Sequence, residues 1–372
     1  MNQFAPVPGA MAAVGPSAPS SDVVALTSAV LGGTGMARRR AVAKAITLLE
    51  STRTDHRDLA DQLLAVLMPR AGGAFRLGLS GVPGVGKSTL IESLGLHLID
   101  QGLTVAVLTI DPSSAVSGGS ILGDKTRMEK LSVHETAYIR PSPSSGTLGG
   151  VAEKTREAIL VLEAADYDVV IVETVGVGQS EIAVAGMTDM FVLMQLPNAG
   201  DELQAIKKGV MEVADLVLIN KADLDPDAAT RAQAQIASAL RLLGQHGNPQ
   251  RAGHDPTQWQ PRVLPLSAWS GQGVAALWSA AQEFRTLRTG SGAWESRRRQ
   301  QAQAWMWERI DAGLRQAFRA DAPVRERLLT LSQEVAQGRV VGSVAARELL
   351  ALFRGSEPQV DAAQPPLPGA ST

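Results

Sequence analysis

The sequence predicts an α/β fold in which a mostly parallel sheet is flanked by helices, with further helices at both ends of the chain. Two observations support this prediction. Apolar runs rich in Val, Ile and Leu alternate with helical stretches through the middle of the chain, and only helical periodicity follows them. Continuous β-branched runs are typical of strands that are buried on both faces, as in a parallel sheet between two helical layers.

The amino-terminal part of the chain precedes the first apolar run. Residues 1–22 are rich in Ala, Pro, Gly and Ser, and we expect a disordered tail because such a segment buries too little surface to offset its ordering entropy. The segment also lacks the basic and apolar regions of a signal peptide. Residues 23–70 carry apolar side chains at helical spacing and predict an N-terminal helical extension.

The central segment, residues 71–289, is expected to form one α/β domain. Six apolar runs in it predict strands, and helical stretches separate them. The predicted strands cover residues 74–81, 103–111, 167–174, 189–196, 214–223 and 262–268.

Residues 290–354 predict a helical arm, and residues 355–372 predict a second disordered tail. An apolar stripe at helical spacing marks the arm, formed by Trp307, Ile310, Leu314 and Phe318. This stripe either packs on its own domain or forms a dimer contact, and the residues alone favour the first alternative.

Composition limits the classes of function. The 372-residue chain is 45% apolar and has a net charge of −2, so no overall charge draws it to nucleic acid or membrane. It has no cysteine, which excludes disulfides and thiolate metal sites, and a reducing cytoplasm is the expected location. No apolar run approaches the ~20 residues of a membrane span.

A phosphate-binding loop is predicted directly after the first strand. The sequence Gly81-Val82-Pro83-Gly84-Val85-Gly86-Lys87-Ser88, followed by Thr89, fits G-x-x-x-x-G-K-[ST] between an apolar strand and a helix. Glycines allow backbone N–H groups to surround phosphates, and the helix N-terminus adds partial positive charge. Lys87 is expected to reach the β- and γ-phosphates, and Ser88 to ligate Mg²⁺.

Three acidic residues are candidates for the Mg²⁺ site beside Ser88. Asp111 and Glu173 each end an apolar run, and Asp124 follows in a loop. Carboxylates at the carboxyl ends of parallel strands lie near a ligand bound at that edge, and Mg²⁺ prefers oxygen ligands. A solvated surface acid is the alternative, and it remains open for Asp124.

A nucleotide-sensing switch is predicted at the end of the apolar run over residues 167–174. Glu173-Thr174-Val175-Gly176 resembles the D-x-x-G switch of GTPases, with Glu in place of Asp. The Gly176 N–H is a candidate contact to the γ-phosphate, so this segment would rearrange on hydrolysis. Gln179 is the candidate for orienting the attacking water.

The base-binding motifs favour GTP over ATP. Asn220-Lys221-Ala222-Asp223 fits N-K-x-D at the end of an apolar run, and an aspartate there accepts from N1–H and the 2-amino group of guanine. Adenine would leave this carboxylate unpaired, which costs on the order of 1–3 kcal/mol. A second segment resembles the S-A-x loop whose backbone N–H meets guanine O6, formed by Ser267, Ala268 and Trp269.

Together these motifs and the segments "IDPSS", "GGSILGDKTRM", "ETVGVGQSE" and "LPNAGDELQAIKKGVMEVAD" resemble the MeaB/ArgK family of P-loop GTPases. This family includes the methylmalonic aciduria type A protein and belongs to the dimeric SIMIBI class. The resemblance covers residues 30–354 and implies a GTPase that chaperones an adenosylcobalamin-dependent acyl-CoA mutase, chiefly methylmalonyl-CoA mutase. It implies that GTP hydrolysis gates cofactor loading and protects the mutase from inactivation.

The resemblance also assigns residues. The family's P-loop, Mg²⁺ and base-reading residues match the positions named above, and its mutase-responsive loop matches "LPNAGDELQAIK", with Lys207 as the lysine. The residues implied in catalysis are Lys87, Glu173, Gln179 and Lys207. The family's dimerisation arm matches residues 290–354, which moves the prediction for this arm towards a homodimer.

Two alternative functions use the same phosphate loop. A P-loop kinase or ATPase linked to arginine and ornithine transport would need an acceptor pocket and would have no use for N-K-x-D. A metallochaperone-type GTPase would need a Cys/His cluster, whereas the chain has no cysteine and its five histidines are scattered.

Overall fold

Seven parallel strands form the centre of the computed structural model, which describes residues 19–51, 53–110, 128–141, 148–174, 180–197, 208–246 and 258–355. The strands lie in the order β3-β2-β4-β1-β5-β6-β7. They are β1 (Phe75–Gly81), β2 (Val105–Ile110), β3 (Ala137–Pro141), β4 (Val169–Thr174), β5 (Met190–Gln195), β6 (Leu216–Ile219) and β7 (Arg262–Pro265). The predicted α/β class and parallel sheet are confirmed.

The sheet contains one strand that the sequence did not predict. β3 is an edge strand that pairs only with β2, and it carries Tyr138, Arg140 and Pro141 among its five residues. An edge strand needs fewer apolar residues than a central one, and proline is tolerated there because one side of its backbone has no neighbour. β3 is short and ends in a charged residue and a proline, so its sequence lacks the longer apolar run by which the other strands were predicted.

The predicted strand over residues 214–223 is too long. β6 ends at Ile219, and the chain then enters a turn in which Lys221 has a left-handed φ of +59° and Leu224 N–H donates to the Lys221 carbonyl. A left-handed residue cannot continue a strand. The shorter strand places the N-K-x-D residues in the turn at the carboxyl edge of the sheet.

Helices cover both faces of the sheet and form two separate buried cores. The first face is covered by α4 (Lys87–Asp100), α5 (Glu129–Val133) and α10 (Val274–Gly290). The opposite face is covered by α1 (Ser21–Gly32), α2 (Gly35–Glu50), α3 (Thr54–Leu67), α6 (Leu148–Ala164), α7 (Ser180–Ala185), α8 (Lys208–Val213) and α9 (Pro226–His246), with a short 3₁₀ turn at Met68–Arg70. Side chains alternate between the two cores along each strand, which defines the α4 face used below.

The N-terminal extension starts slightly before its predicted boundary. Ser20 caps α1 by accepting from Val23 N–H, so helical structure begins at Ser21, inside the predicted tail of residues 1–22. Hydroxyl caps of this kind satisfy one of the unpaired N–H groups at a helix start. No helix in the described part of the chain is both long and apolar enough to cross a membrane.

The chain divides into two compact units, residues 1–299 and residues 300–372. The boundary lies inside the long helix α11 (Ala293–Ala320), ten residues beyond the start of the predicted arm. The second unit also contains α12 (Ala322–Ala336) and α13 (Gly342–Phe353), which share a small core. Phe318 packs in that core against Phe353, whereas Trp307, Ile310 and Leu314 are exposed.

Two arginines fix the first turns of α11 to the amino ends of the strands, within the first unit. Arg297 pairs with Asp215, which precedes β6, and Arg298 makes two bonds of 2.7 and 2.6 Å to Asp189, which precedes β5. Burial raises the pKa of the Asp215 carboxyl, and the Arg297 guanidinium partly opposes this increase. Arg298 also donates to the Gly72 and Ala74 carbonyls.

Candidate functional site

The loop between β1 and α4 has the backbone of a phosphate cradle. Gly84 and Gly86 adopt φ values of +78° and +98°, a region that side chains disfavour. A Cβ on Gly86 would lie 2.5 Å from the Asn220 side-chain nitrogen, so only glycine fits there. The predicted glycines are therefore required by backbone conformation and by close approach to a second segment.

Lys87 lies inside this loop. Its side chain is buried, and its ammonium donates to the Gly81 carbonyl at 2.7 Å and to the Val82 carbonyl at 3.3 Å. Carbonyl bonds hold a buried cation in place and are exchangeable for the stronger bonds of an anion. The ammonium is thus already positioned at the mouth of the loop.

The first turn of α4 follows directly. Ser88 and Thr89 lie one and two residues into this helix, and both are half-buried. The first N–H groups of a helix have no partners within the helix, and with the helix dipole they form an anion site. Loop, lysine and helix start together suit a phosphate group.

A pair of polar side chains lies at the carboxyl ends of β2 and β4, on the α4 face. Glu173 and Thr109 are opposite each other in the register of these strands, and both are buried. The Thr109 hydroxyl has no hydrogen-bond partner among the described residues. Thr109 was not among the predicted site residues, because it lies within an apolar run of the sequence.

The donor chemistry at this edge fits a hard cation. Ser88, Thr109 and Glu173 offer only oxygen atoms, which Mg²⁺ prefers, and the unpartnered Thr109 hydroxyl can accept a bond from a metal-bound water. Within the described residues, no group of three or more His, Cys, Asp or Glu side chains could hold a metal ion. Asp111 and Asp124, the other two acids predicted for the metal site, lie outside the described residues.

Asn220 joins the phosphate loop to the base-binding loops. Its amide nitrogen donates to the Val85 carbonyl at 2.7 Å, and its amide oxygen accepts from Ala268 N–H at 2.9 Å. Its backbone N–H donates to the Gln195 carbonyl at the end of β5. The buried side chain therefore joins the phosphate loop to the loop after β7, a role that the four-residue motif alone does not show.

The other N-K-x-D residues lie in the turn after β6. Asp223 is exposed and Lys221 is half-buried, and the turn is tied to the adjacent strand by the bond from Ala222 N–H to the Leu266 carbonyl. An exposed carboxylate at a fixed turn is available to a ligand without the loss of an internal ion pair. The geometry suits recognition of the donor edge of guanine.

The S-A-x loop lies beside this turn, after β7. Ser267 is buried, and its hydroxyl accepts from Ser270 N–H at 3.3 Å, while Trp269 projects into solvent. Ala268 N–H donates to the Asn220 side-chain oxygen at 2.9 Å and is therefore engaged within the protein. The adjacent Trp269 N–H has no acceptor among the residues that the structure describes.

Five predicted site residues lie outside the described residues. They are Asp111, Asp124, Gly176, Gln179 and Lys207. The structure brings the remaining predicted residues to one edge of the sheet, at the carboxyl ends of β1, β4, β6 and β7. Gln195 at the end of β5 also has an unpartnered buried side-chain oxygen, but strand alternation places this side chain on the face opposite α4.

Comparisons with known proteins agree with this site. Residues 42–322 match the family profile described as "Methylmalonyl Co-A mutase-associated GTPase MeaB". The chain is 51% identical to the GTPase ArgK of Escherichia coli over 269 residues, which cover 72% of this chain and 78% of that protein. It is 45% identical to the mitochondrial methylmalonic aciduria type A homolog of Mus musculus over 328 residues, covering 85% and 77%.

A solved structure shares the fold. The crystal structure described as an LAO/AO transport system kinase superimposes with a TM-score of 0.69 at 36% identity, covering 91% of this chain and all of that one. The similarity extends well beyond the phosphate loop, and the relatives named above are GTPases by name or by family. The chain is a P-loop GTPase, and it belongs to the MeaB family of methylmalonyl-CoA mutase-associated GTPases.

Proposed function

We propose that this GTPase is the chaperone of an adenosylcobalamin-dependent acyl-CoA mutase, with methylmalonyl-CoA mutase as the expected client. The family profile, which carries the mutase in its description and spans most of the chain, is the observation that supports the client class. In this proposal GTP hydrolysis gates loading of the mutase cofactor and protects the mutase from inactivation. The cytoplasm is the proposed location.

In the phosphate half of the site, Lys87 exchanges its bonds to the Gly81 and Val82 carbonyls for the β- and γ-phosphates of GTP. This exchange replaces neutral acceptors with charged ones, which form stronger hydrogen bonds. Ser88, Glu173, Asp111 and Asp124 are the proposed Mg²⁺-site residues. A Mg²⁺ held by these residues would supply positive charge that stabilises the negative charge developing on the transferring phosphoryl group.

In the base half, Asp223 accepts from the guanine N1–H and 2-amino group, and the Lys221 stem covers the ring. Asn220 connects this half to the phosphate loop through the Val85 carbonyl. After hydrolysis, the segment containing Gly176 and Gln179 is proposed to rearrange because its contact to the γ-phosphate is lost.

Intrinsic hydrolysis is expected to be slow, because no arginine stands out in the sequence as a built-in arginine finger and Gln179 is not directly next to the switch glycine. We propose that the mutase orders the loop containing Lys207 and supplies the missing transition-state stabilisation. A positive charge brought to the transferring phosphoryl group is worth about 10³–10⁵ in rate in other GTPases, and we expect the low end of that range or less.

The test is phosphate release from GTP with and without an adenosylcobalamin-dependent mutase. Lys207→Ala should keep basal turnover and lose most of the stimulation, whereas Lys87→Ala should lose both while remaining folded by circular dichroism. Full stimulation of Lys207→Ala would show that this loop does not couple the two proteins. If no such mutase stimulates the unmodified protein, the chaperone proposal is wrong and only the GTPase activity stands.

A kinase of the transport class is the second candidate, because the similar solved structure carries that description. A kinase transfers phosphate to an acceptor and needs no carboxylate for guanine. Phosphate release from GTP in the absence of any acceptor, with little release from ATP, favours the chaperone GTPase. Acceptor-dependent ATP turnover would favour the kinase.

We also propose a homodimer that uses the arm. Trp307, Ile310 and Leu314 recur on one face of α11 and remain exposed, and a second copy of the chain can bury such a stripe. Sedimentation of the full chain should show a dimer, and Ile310→Asp should shift it to a monomer. A full-length protein that sediments as a monomer would contradict this.

A further inference from the structure

Trp269 is an exception to the usual environment of tryptophan. Its side chain is 89% exposed, the highest value among the exposed large apolar side chains of the described chain, ahead of Val133 at 77%. Tryptophan is highly buried on average, since burial of its large ring is strongly favourable. An indole held in water at a ligand site is therefore a candidate for contact with the ligand.

The loop that carries Trp269 is anchored on both sides of the indole. On one side, Ala268 N–H donates to the buried Asn220 side chain at 2.9 Å. Around the other side, Ser267 N–H donates to the Gln272 carbonyl at 2.9 Å and closes the turn. The indole is thus attached one residue from a bond to the N-K-x-D motif, on a backbone with little freedom to withdraw.

The base-binding residues come from the neighbouring strand. β6 and β7 pair in parallel, with Ile219 opposite Pro265, so their following turns leave the sheet side by side. One turn presents the exposed Asp223 carboxylate and the other presents Trp269. A purine whose donor edge meets Asp223 therefore has its ring near the second turn.

The hydrogen-bonding needs of guanine O6 also point to Trp269. Guanine O6 requires a donor, and Ala268 N–H is already engaged with Asn220. The next backbone N–H along the loop belongs to Trp269 and has no acceptor among the described residues. A guanine that reaches this N–H would bring its ring into range of the indole attached to the same residue.

We propose that Trp269 binds the guanine base by stacking its indole ring on the purine, beside the backbone contact to O6 that the S-A-x resemblance implies for this loop. This proposal rests on guanine nucleotide binding at the proposed site and adds a residue whose side chain no motif specifies. Stacking of a base on an aromatic side chain is worth about 1–3 kcal/mol by alanine substitution. The stacking energy should contribute equally to the binding of GTP and GDP, because the indole ring contacts the base and not the phosphates.

The test is the affinity for GDP measured by calorimetry, together with intrinsic tryptophan fluorescence. Trp269→Ala should weaken GDP and GTP binding by about 5- to 150-fold, which corresponds to the stacking energy. GDP should quench the fluorescence of the unmodified protein, and Trp269→Ala should lose that response.

Two variants serve as controls. Trp269→Phe keeps an aromatic ring and should retain most of the affinity, while Val133→Ala removes an exposed apolar side chain away from the base site and should change nothing. An unchanged GDP affinity in Trp269→Ala overturns the stacking proposal while leaving the GTPase intact. A loss of mutase stimulation without a loss of GDP affinity would instead identify Trp269 as a partner contact. An unmodified protein that binds no guanine nucleotide would contradict both proposals.

Discussion

Replacement of Gly86 by alanine measures how firmly the phosphate loop is joined to the base loops. The added Cβ would lie 2.5 Å from Asn220 Nδ2, the atom that donates to the Val85 carbonyl at 2.7 Å. The amide must move, and the buried carbonyl then loses its donor. A left-handed alanine costs about 1–2 kcal/mol and an unsatisfied buried acceptor about 1–3 kcal/mol, so the free energy of unfolding should fall by roughly 2–5 kcal/mol.

Two other glycines separate these contributions. Gly84 and Gly102 have φ values of +78° and +82°, and a Cβ on either would meet nothing within 4 Å. Gly84→Ala and Gly102→Ala should therefore lose only the backbone part, about 1–2 kcal/mol each. The assay is urea denaturation followed by circular dichroism, without nucleotide. If Gly86→Ala is no less stable than the two controls, Asn220 does not join the loops as described.

Three further perturbations test recognition of the base, the partly buried ion pair of Arg297 and Asp215, and the proposed Mg²⁺ site. Asp223→Asn should weaken GTP and improve xanthosine triphosphate in competition binding, because the amide can donate to the 2-oxo group; equal ATP and GTP affinities in the unmodified protein would refute the base assignment. Arg297→Met should lower the free energy of unfolding by about 1–3 kcal/mol, because the partly buried Asp215 carboxylate loses its ion-pair partner. Burial raises the pKa of Asp215 in the folded state, so protonation favours folding, and this deficit should be largest near pH 7 and shrink towards pH 4; a pH-independent deficit would rule out the charge as its cause. Thr109→Val removes a buried hydroxyl that has no partner, so stability should hold or rise slightly while the Mg²⁺ concentration needed for GTP turnover increases; a clear loss of stability would mean that the hydroxyl is bonded in the folded protein.

The sequence predicted those parts of the fold that have a one-dimensional signature. The five central strands, β1, β2, β4, β5 and β6, are buried on both faces along nearly all of their length and therefore read as apolar runs. The phosphate loop has a fixed spacing between a strand and a helix. The edge strand β3 has no such signature, since Arg140 and Pro141 are compatible with a loop as well as an edge. Its identity depends on pairing with β2, which is a long-range contact.

The residues of the candidate site were likewise predicted from sequence only where they belong to a short motif. Lys87, Asn220 and Asp223 were identified because their chemistry and spacing are written in short motifs. Thr109 lies at the end of an apolar run, and only its burial without a hydrogen-bond partner distinguishes it from an ordinary strand residue. The occupied N–H of Ala268 is equally hidden, because a backbone group carries no residue-type signal.

The two hydrogen bonds of the Asn220 side-chain amide have a thermodynamic consequence. Because one buried amide contacts both the Val85 carbonyl and the Ala268 N–H, displacement at the base end is felt at the phosphate end. Linkage is reciprocal, so a phosphate that orders the loop must also favour the purine by the same coupling free energy. Guanosine and pyrophosphate added as separate fragments would then bind cooperatively. A nucleotide with the wrong base would be rejected partly through a poorly held triphosphate, which makes discrimination visible in turnover as well as in affinity.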